Sequence, residues 1–276
     1  MTEALVRTAV AAIRACAGDI APGVGIVTGS GLGAALEGVE AACRLAYADI
    51  PGFPVSTVAG HAGELVLGRL AGYPVACLNG RVHGYEGHPL PAFRLPLRCL
   101  RGLGCARVVL VSTVGSVNPE IRPGRLVLVR DHINVTGFDP LAGANDPAVG
   151  PRFPAMVDAY DPGLRALARR AAARAGLDLA EGVMVHNGGP SFETPAEIRV
   201  ARLLGGDLVG MSMAPETVIA RHCGLAVLGV AVVTNMGAGL SERPPTHDET
   251  LASATAAAGG LRLLLGALVE EGLARA

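Results

Sequence analysis

The sequence predicts an α/β fold, a single domain with a mixed β-sheet flanked by helices, and three observations carry that reading. Short β-branched runs alternate with helix-like segments along the chain, the pattern of a sheet covered by helices. One interruption, residues 64–78, sets two apolar runs on either side of Ala71-Gly72-Tyr73-Pro74 and reads as an antiparallel hairpin added to that sheet. Half of the 276 residues are apolar, enough for one sizeable core, and no repeat, low-complexity segment or linker divides residues 1–276.

The N-terminal stretch is Ala-rich but carries Glu3, Arg7 and Arg14, which fits an amphipathic helix better than a signal peptide. Residues 24–28 form the first strand, and Gly29-Ser30-Gly31-Leu32-Gly33 leads into a helix-like 32–37. After the hairpin come a helix over 91–103 and strands over 108–112 and 126–129. Residues 137–161 are rich in Pro, Gly, Asn and Asp, and a connection that long without periodicity is usually functional or lies at an interface. Strands at 182–186 and 225–234 then alternate with helices at 162–175, 195–204 and 247–271. The longest apolar run, 225–233, has the length of a buried strand and falls short of the ~20 residues of a spanning helix.

Charge is nearly balanced, 23 basic against 24 acidic residues, without a run of either sign. That removes the electrostatic footprint of a nucleic-acid or membrane binder and leaves small molecules, or copies of the chain itself, as partners. The six cysteines, Cys16, Cys43, Cys77, Cys99, Cys105 and Cys223, form no CxxC pair and sit mostly in apolar surroundings. They read as reduced thiols of a cytoplasmic protein.

Chemistry concentrates in glycine-rich turns. Gly80-Arg81-Val82-His83-Gly84-Tyr85-Glu86-Gly87-His88 packs a guanidinium, two imidazoles, a phenol and a carboxylate behind a strand. An arginine fork suits an oxyanion and histidine moves protons near neutrality, so the pair suits phosphate. Ser30 and its neighbouring amides could surround an anion at a helix start, or simply make a tight turn. Gly60-His61-Ala62-Gly63 places another histidine between glycines, as ligand or as ordinary loop residue. His83 and His88 are poorly spaced for a metal, and no acidic or histidine cluster completes a ligand set.

Gly188-Gly189-Pro190-Ser191-Phe192-Glu193-Thr194-Pro195-Ala196-Glu197 contains a helix start, with Thr194 as N-cap, Pro195 in the first turn and Glu197 closing a capping box. Phe192 and Glu193 lie just outside that logic, at a strand end where open α/β sheets bind ligands. An aromatic face beside a carboxylate suits a heterocycle with ring N–H donors. In Gly210-Met211-Ser212-Met213-Ala214-Pro215-Glu216, Ser212 is a cap, an anion ligand or both. Asn235 ends the most apolar strand with an amide that donates and accepts. Thr246-His247-Asp248-Glu249 opens the last helix and puts His247 in its first turn, able to bond a hydroxyl.

Together these segments, with Thr28-Gly29-Ser30-Gly31-Leu32-Gly33 and Arg130-Asp131-His132-Ile133-Asn134, occur in the order of the trimeric purine nucleoside phosphorylases, which the whole chain resembles. The resemblance implies a nucleoside phosphorylase-like fold. It also implies phosphorolysis of inosine, guanosine and their 2′-deoxy forms to free base and sugar 1-phosphate by a homotrimer, with inorganic phosphate as co-substrate and no cofactor or metal. By the family pattern Ser30, His61, Arg81, His83, Ser212 and a backbone amide near Thr113 hold phosphate, and Glu86 orients His83. Tyr85, Met211 and His247 contact the sugar, Glu193 and Asn235 read the base, and Phe192 stacks on it. His83, Glu193, Asn235 and His247 form the catalytic group, and Phe153 closes the sugar site of a neighbouring subunit.

The clearest departure is Ser112-Thr113-Val114-Gly115-Ser116, where the family usually has Asn-Ala-Ala-Gly-Gly. Val114 and Ser116 are expected to add bulk there, and the related 5′-methylthioadenosine phosphorylases carry a segment closer to this one. That activity is the alternative, and His247 argues against it because a polar group suits a 5′-hydroxyl. A nucleoside-binding protein without chemistry is a second rival. A dinucleotide-dependent oxidoreductase fails on the missing third glycine and acidic residue of its fingerprint.

Overall fold

The structure, a computed structural model, describes residues 3–58, 62–242 and 244–274. Its centre is β1 (Val24–Thr28), buried along its whole length because β4 (Tyr73–Asn79) and β5 (Arg107–Ser116) pair with it in parallel on either side. β3 (Glu64–Leu70) forms the expected hairpin with β4, turned by Ala71 and Gly72 at φ 48° and 79°. Two successive left-handed residues make the two-residue turn that matches the twist of the strands. Outside β3 lies β2 (Val39–Ala46), which the sequence did not announce. It is an edge strand that buries only Val39 and Cys43, so it carries no apolar run.

On the other side of β1, β5 pairs in parallel with β9 (Ala226–Met236) and, at its end, antiparallel with β8 (Leu208–Gly210). β7 (Leu179–His186) and β6 (Leu126–Asn134) follow β8, and β6 pairs with β9. Among the described residues nine strands thus form one mixed sheet, part of which returns on itself through β5 and β9.

Helices cover both faces. α1 (Glu3–Ala17), α2 (Leu90–Leu103) and α5 (Ala214–His222) bury Ile13, Leu95, Leu100 and Ile219 on one face. α3 (Pro162–Arg174) and α6 (His247–Leu268) bury Leu164, Ala168, Leu261 and Leu265 on the other. α4 (Pro195–Leu203) packs Ile198 and Ala201 against Val117, Val185 and Val209. α3 begins where Asp161 accepts from the Leu164 amide (2.9 Å) with Pro162 in the first turn.

Several expectations change. Cys16 and Cys43 are joined in a disulfide, against the reading of six thiols. The end of α1 lies over β2 and brings their Cα atoms to 5.8 Å, a proximity the unrecognised edge strand concealed. Cys77, Cys99, Cys105 and Cys223 are free and buried, and burial pushes the first three thiols up to about 12. The helix-like 32–37 is only a 3-10 turn, Gly33–Leu36, too short to build a dipole. α6 with its π-helical continuation, His247–Leu273, is long and apolar enough to span a bilayer, although the sequence offered no such run; here its Leu-rich face covers the sheet.

Gly229 in β9 tests the packing. A Cβ there would lie 2.8 Å from Cε1 and 2.9 Å from Cδ1 of Tyr160, and 3.0 Å from Met213 Sδ. Tyr160 is fully buried and cannot move aside. Gly229→Ala should destabilise by about 1–3 kcal/mol, read as a lower urea midpoint. Gly259→Ala on α6, where a Cβ meets nothing within 4 Å, should be neutral or stabilising. Equal losses at both positions would contradict this packing.

Candidate active site

The carboxyl ends of β1, β4, β5 and β9 lie together, and the chain leaving β7 and β8 reaches the same place. They enclose a cavity of about 370 Å³, within the range of small-molecule sites. Ser30, His83, Thr113 and Ser212 line it, as do Phe192, Glu193 and Asn235, with Tyr85, Met211 and His247 also on its walls.

Behind the Ser212 wall lies a buried cation. Tyr47 donates to the Gly80 carbonyl (2.7 Å), anchoring the turn that presents Arg81. Arg81 Nη1 donates to Ser112 Oγ and to Ser212 Oγ (3.1 Å), Nη2 to the Val27 carbonyl (3.2 Å), and Nε lies 3.2 Å from Glu216 Oε1. Burial pulls the guanidinium below its ordinary value, and the Glu216 carboxylate opposes that shift. Arg81 therefore stands behind the Ser212 hydroxyl, lines a second small cavity with Glu216, and does not line the main one. Ser212 does not cap α5, whose N-cap is Met213; its hydroxyl is held among Arg81 and Ser112 Oγ, 3.0 Å away.

His83 is fixed by Glu86, whose Oε1 accepts from the His83 amide (2.7 Å) and lies 3.1 Å from ring Nδ1. Its ring stacks on Tyr85 with centroids 4.9 Å apart. Burial would raise the Glu86 carboxyl, but bonds from the His83 ring and from the Thr57 and His83 amides outweigh it and hold the group at about 2, against 4.5 ordinarily. The stability contributed by these contacts is complete above the ordinary value and is lost as pH falls from there toward 2. Glu86→Gln should accordingly lose less melting temperature than wild type across that window; parallel acid melting curves would refute it.

At the base of α4 both arms of the capping box form: Thr194 Oγ1 accepts from the Glu197 amide (3.2 Å) and Glu197 Oε2 from the Thr194 amide (2.7 Å). This fixes the residue after Glu193. Glu193 Oε1 accepts from Asn187 Nδ2 (2.7 Å). Burial raises the Glu193 carboxyl, and its own amide and Asn187 work against that rise. Asn235 Oδ1 accepts from the Thr234 hydroxyl (2.9 Å) and its Nδ2 donates to the Met236 carbonyl (2.9 Å). One amide hydrogen and one lone pair still remain for a ligand. Gly189, at φ 65°, lets the chain pass Met211 and Tyr85 closely, since a Cβ would come within 2.5 Å of Met211 Sδ and 2.8 Å of Tyr85 Cδ1. The Thr246 hydroxyl accepts from the Glu249 amide (3.2 Å) and so starts α6 with His247 at the cavity wall.

The altered end of β5 is reshaped less than its composition suggests. Thr113 and Val114 line the cavity. Ser116 adds no bulk there, because its hydroxyl donates to the Asn118 carbonyl (2.8 Å) and accepts from the Asn118 amide (3.2 Å). Two other expected residues stand apart. Phe153 is 87% exposed on the irregular connection, away from the cavity of its own chain. His61 lies outside the described residues. Among the described residues no cluster of three or more His, Cys, Asp or Glu could hold a metal ion.

Sequence reasoning missed Asn187 and the pairing of Arg81 with Glu216. Asn187 directly precedes a recognised motif, and Glu216 sits inside one, but which partner each meets depends on strand order.

A cavity whose walls carry serine hydroxyls, one of them backed by a buried arginine, together with a carboxylate, an amide and an aromatic ring can take an anion and a heterocycle together. The comparisons agree with that class. Residues 23–270 match the phosphorylase superfamily. Purine nucleoside phosphorylase 1 of Geobacillus stearothermophilus is 48% identical over 230 residues, 83% of this chain and 84% of that protein. The Schistosoma mansoni purine nucleoside phosphorylase solved with inosine superimposes with a TM-score of 0.90 at 37% identity, covering 98% and 96% of the two chains. The same enzyme solved with adenosine gives 0.91 at 37% identity, covering 98% and 97%. The chain belongs to the phosphorylase superfamily and, within it, to the purine nucleoside phosphorylases.

Proposed function

We propose that this chain cleaves inosine, guanosine and their 2′-deoxy forms with inorganic phosphate, releasing the free base and the (deoxy)ribose 1-phosphate without a metal or cofactor. The observation that carries the reading is one cavity joining Ser30, His83 and Ser212 to Glu193 and Asn235. Breaking the glycosidic bond builds positive charge on the sugar and negative charge on the departing purine, so a catalyst must support both at once. Phosphate held by Ser30, Ser212, His83 and the charge of Arg81 would lie beneath the sugar, stabilise the cationic ring and bond to the anomeric carbon. Asn235 would donate its remaining amide hydrogen to N7 or O6 as negative charge builds on the departing base. Glu193, ionised, would accept from N1–H, with Phe192 against the ring and Tyr85, Met211 and His247 around the sugar.

Adenine has no N1–H, and a site built to bond a group discriminates against an analogue that lacks it. The adenosine complex of the Schistosoma mansoni relative concerns binding; turnover is where the acid should decide. The second reading, methylthioadenosine cleavage, would need an apolar 5′ pocket, and His247 and Thr250 among the lining residues weigh against it. A homotrimer belongs to the same proposal, supported by the exposed Phe153, which is free to enter a neighbour's site.

Comparing kcat/KM for inosine, guanosine, adenosine and methylthioadenosine at saturating phosphate tests the substrate assignment. Inosine and guanosine should exceed adenosine by at least about 100-fold. Preference for methylthioadenosine would replace the proposal with its alternative.

A further inference from the structure

We propose that Asn187 is the positioning residue of the base site: its amide holds the Glu193 carboxylate in the orientation and ionised form that accept a purine N1–H. The inference rests on the proposed reading that Glu193 reads the base, and it assigns part of the 6-oxopurine preference to a residue outside the recognised motifs.

Glu193 needs such support, because it lies in the irregular stretch between β7 and α4 rather than on a regular element. Asn187 follows the last residue of β7, and its own amide donates to the Gly210 carbonyl (2.9 Å) at the end of β8. Its side chain therefore projects from an anchored strand end, and Nδ2 meets Glu193 Oε1 at 2.7 Å. With the capping box fixing Thr194, the glutamate is held from both sides. Loss of the Asn187 bond would release rotation of a long side chain and lower the share of time it faces the base.

The bond also has a sign. An amide N–H donates more strongly to a carboxylate than to the carbonyl oxygen of a protonated acid, so the bond favours the ionised form. Other influences run the opposite way: burial disfavours the anion, and Glu197 on α4 is a like charge close enough to raise the carboxyl. Asn235 from β9, His247 from α6 and Tyr85 after β4 line the same cavity. The Glu193 amide and then Asn187 favour the anion, and Asn187 is the side chain that bonds it directly, so it contributes to setting the pH below which the base is no longer bound.

The test is a comparison of wild type, Asn187→Leu, Asn187→Asp and Glu193→Gln, with kcat and KM for inosine measured from pH 5 to 9 and KM for phosphate measured in parallel. Activity that depends on the Glu193 anion falls as pH drops through its pKa, so removing a donor must move the acid limb of kcat/KM to higher pH. Asn187→Leu should raise KM for inosine about 10-fold or more with kcat within about threefold, shift the limb upward by about one pH unit, and leave KM for phosphate unchanged. Asn187→Asp, equal in shape but like-charged, should shift it further. Merely structural damage would lower kcat and both affinities without moving the limb. Unmoved limbs in both Asn187 variants, with Glu193→Gln still impaired, would overturn the role of Asn187 alone. An unimpaired Glu193→Gln would overturn the base reading and this inference with it.

Discussion

Glu193→Gln should lower kcat/KM for inosine by about 10²–10³-fold while KM for phosphate stays near its wild-type value. The change keeps shape and volume but replaces the acceptor that the N1–H requires with a neutral amide. Hydrogen bonds to charged partners contribute about 1.5–3 kcal/mol, and leaving a buried polar group unmatched adds its desolvation. Asn187 compounds the effect: its Nδ2 lies 2.7 Å from the glutamate oxygen, and in the variant it would face an amide that can oppose it donor to donor. Adenosine should lose far less, so the ratio of the two substrates reports the role more cleanly than either rate. Equal losses for both would mean that Glu193 supports the cavity and does not read the base.

Arg81→Ala should raise KM for phosphate by about 10²-fold and also destabilise the fold. The guanidinium is buried with bonds to Ser112 and Ser212, the latter on the cavity wall, and beside Glu216, so removing it takes away the positive charge next to the proposed phosphate position and strands a carboxylate. Breaking a buried pair from one side costs about 3–5 kcal/mol, largely from the charge left behind. The double variant Arg81→Ala, Glu216→Gln should therefore recover part of the lost thermal stability without recovering phosphate affinity. If both recover together, Arg81 acts only by holding the β4 turn in place. Lysine at this position would keep charge but not the fork that reaches two serines and a carbonyl at once.

Local chemistry made the motifs legible. The Thr194 capping box, the Ala71-Gly72 turn and the buried run of β9 each depend on residues within a few positions of one another. Arg81, His83, Glu193 and Asn235 stood out because polar groups at the ends of apolar strands need a reason. Edge strand β2 was hidden because only one side of it is buried, and the Cys16–Cys43 bond was hidden with it. Ser212 illustrates the other limit: cap and ligand share one sequence signature, and only the approach of β4, β5 and β8 shows its hydroxyl beside Arg81. Asn187 was invisible for the same reason, since its partner is selected by the return of the chain after β7.

The central claim is that one cavity brings phosphate to the sugar carbon as the purine departs. Phosphorus NMR of the protein with inosine, run alongside quantitation of hypoxanthine with and without inorganic phosphate, tests it most directly. The account predicts one ribose 1-phosphate for each hypoxanthine released, and no release without phosphate. Hypoxanthine accompanied by free ribose, or formed in the absence of phosphate, would contradict it.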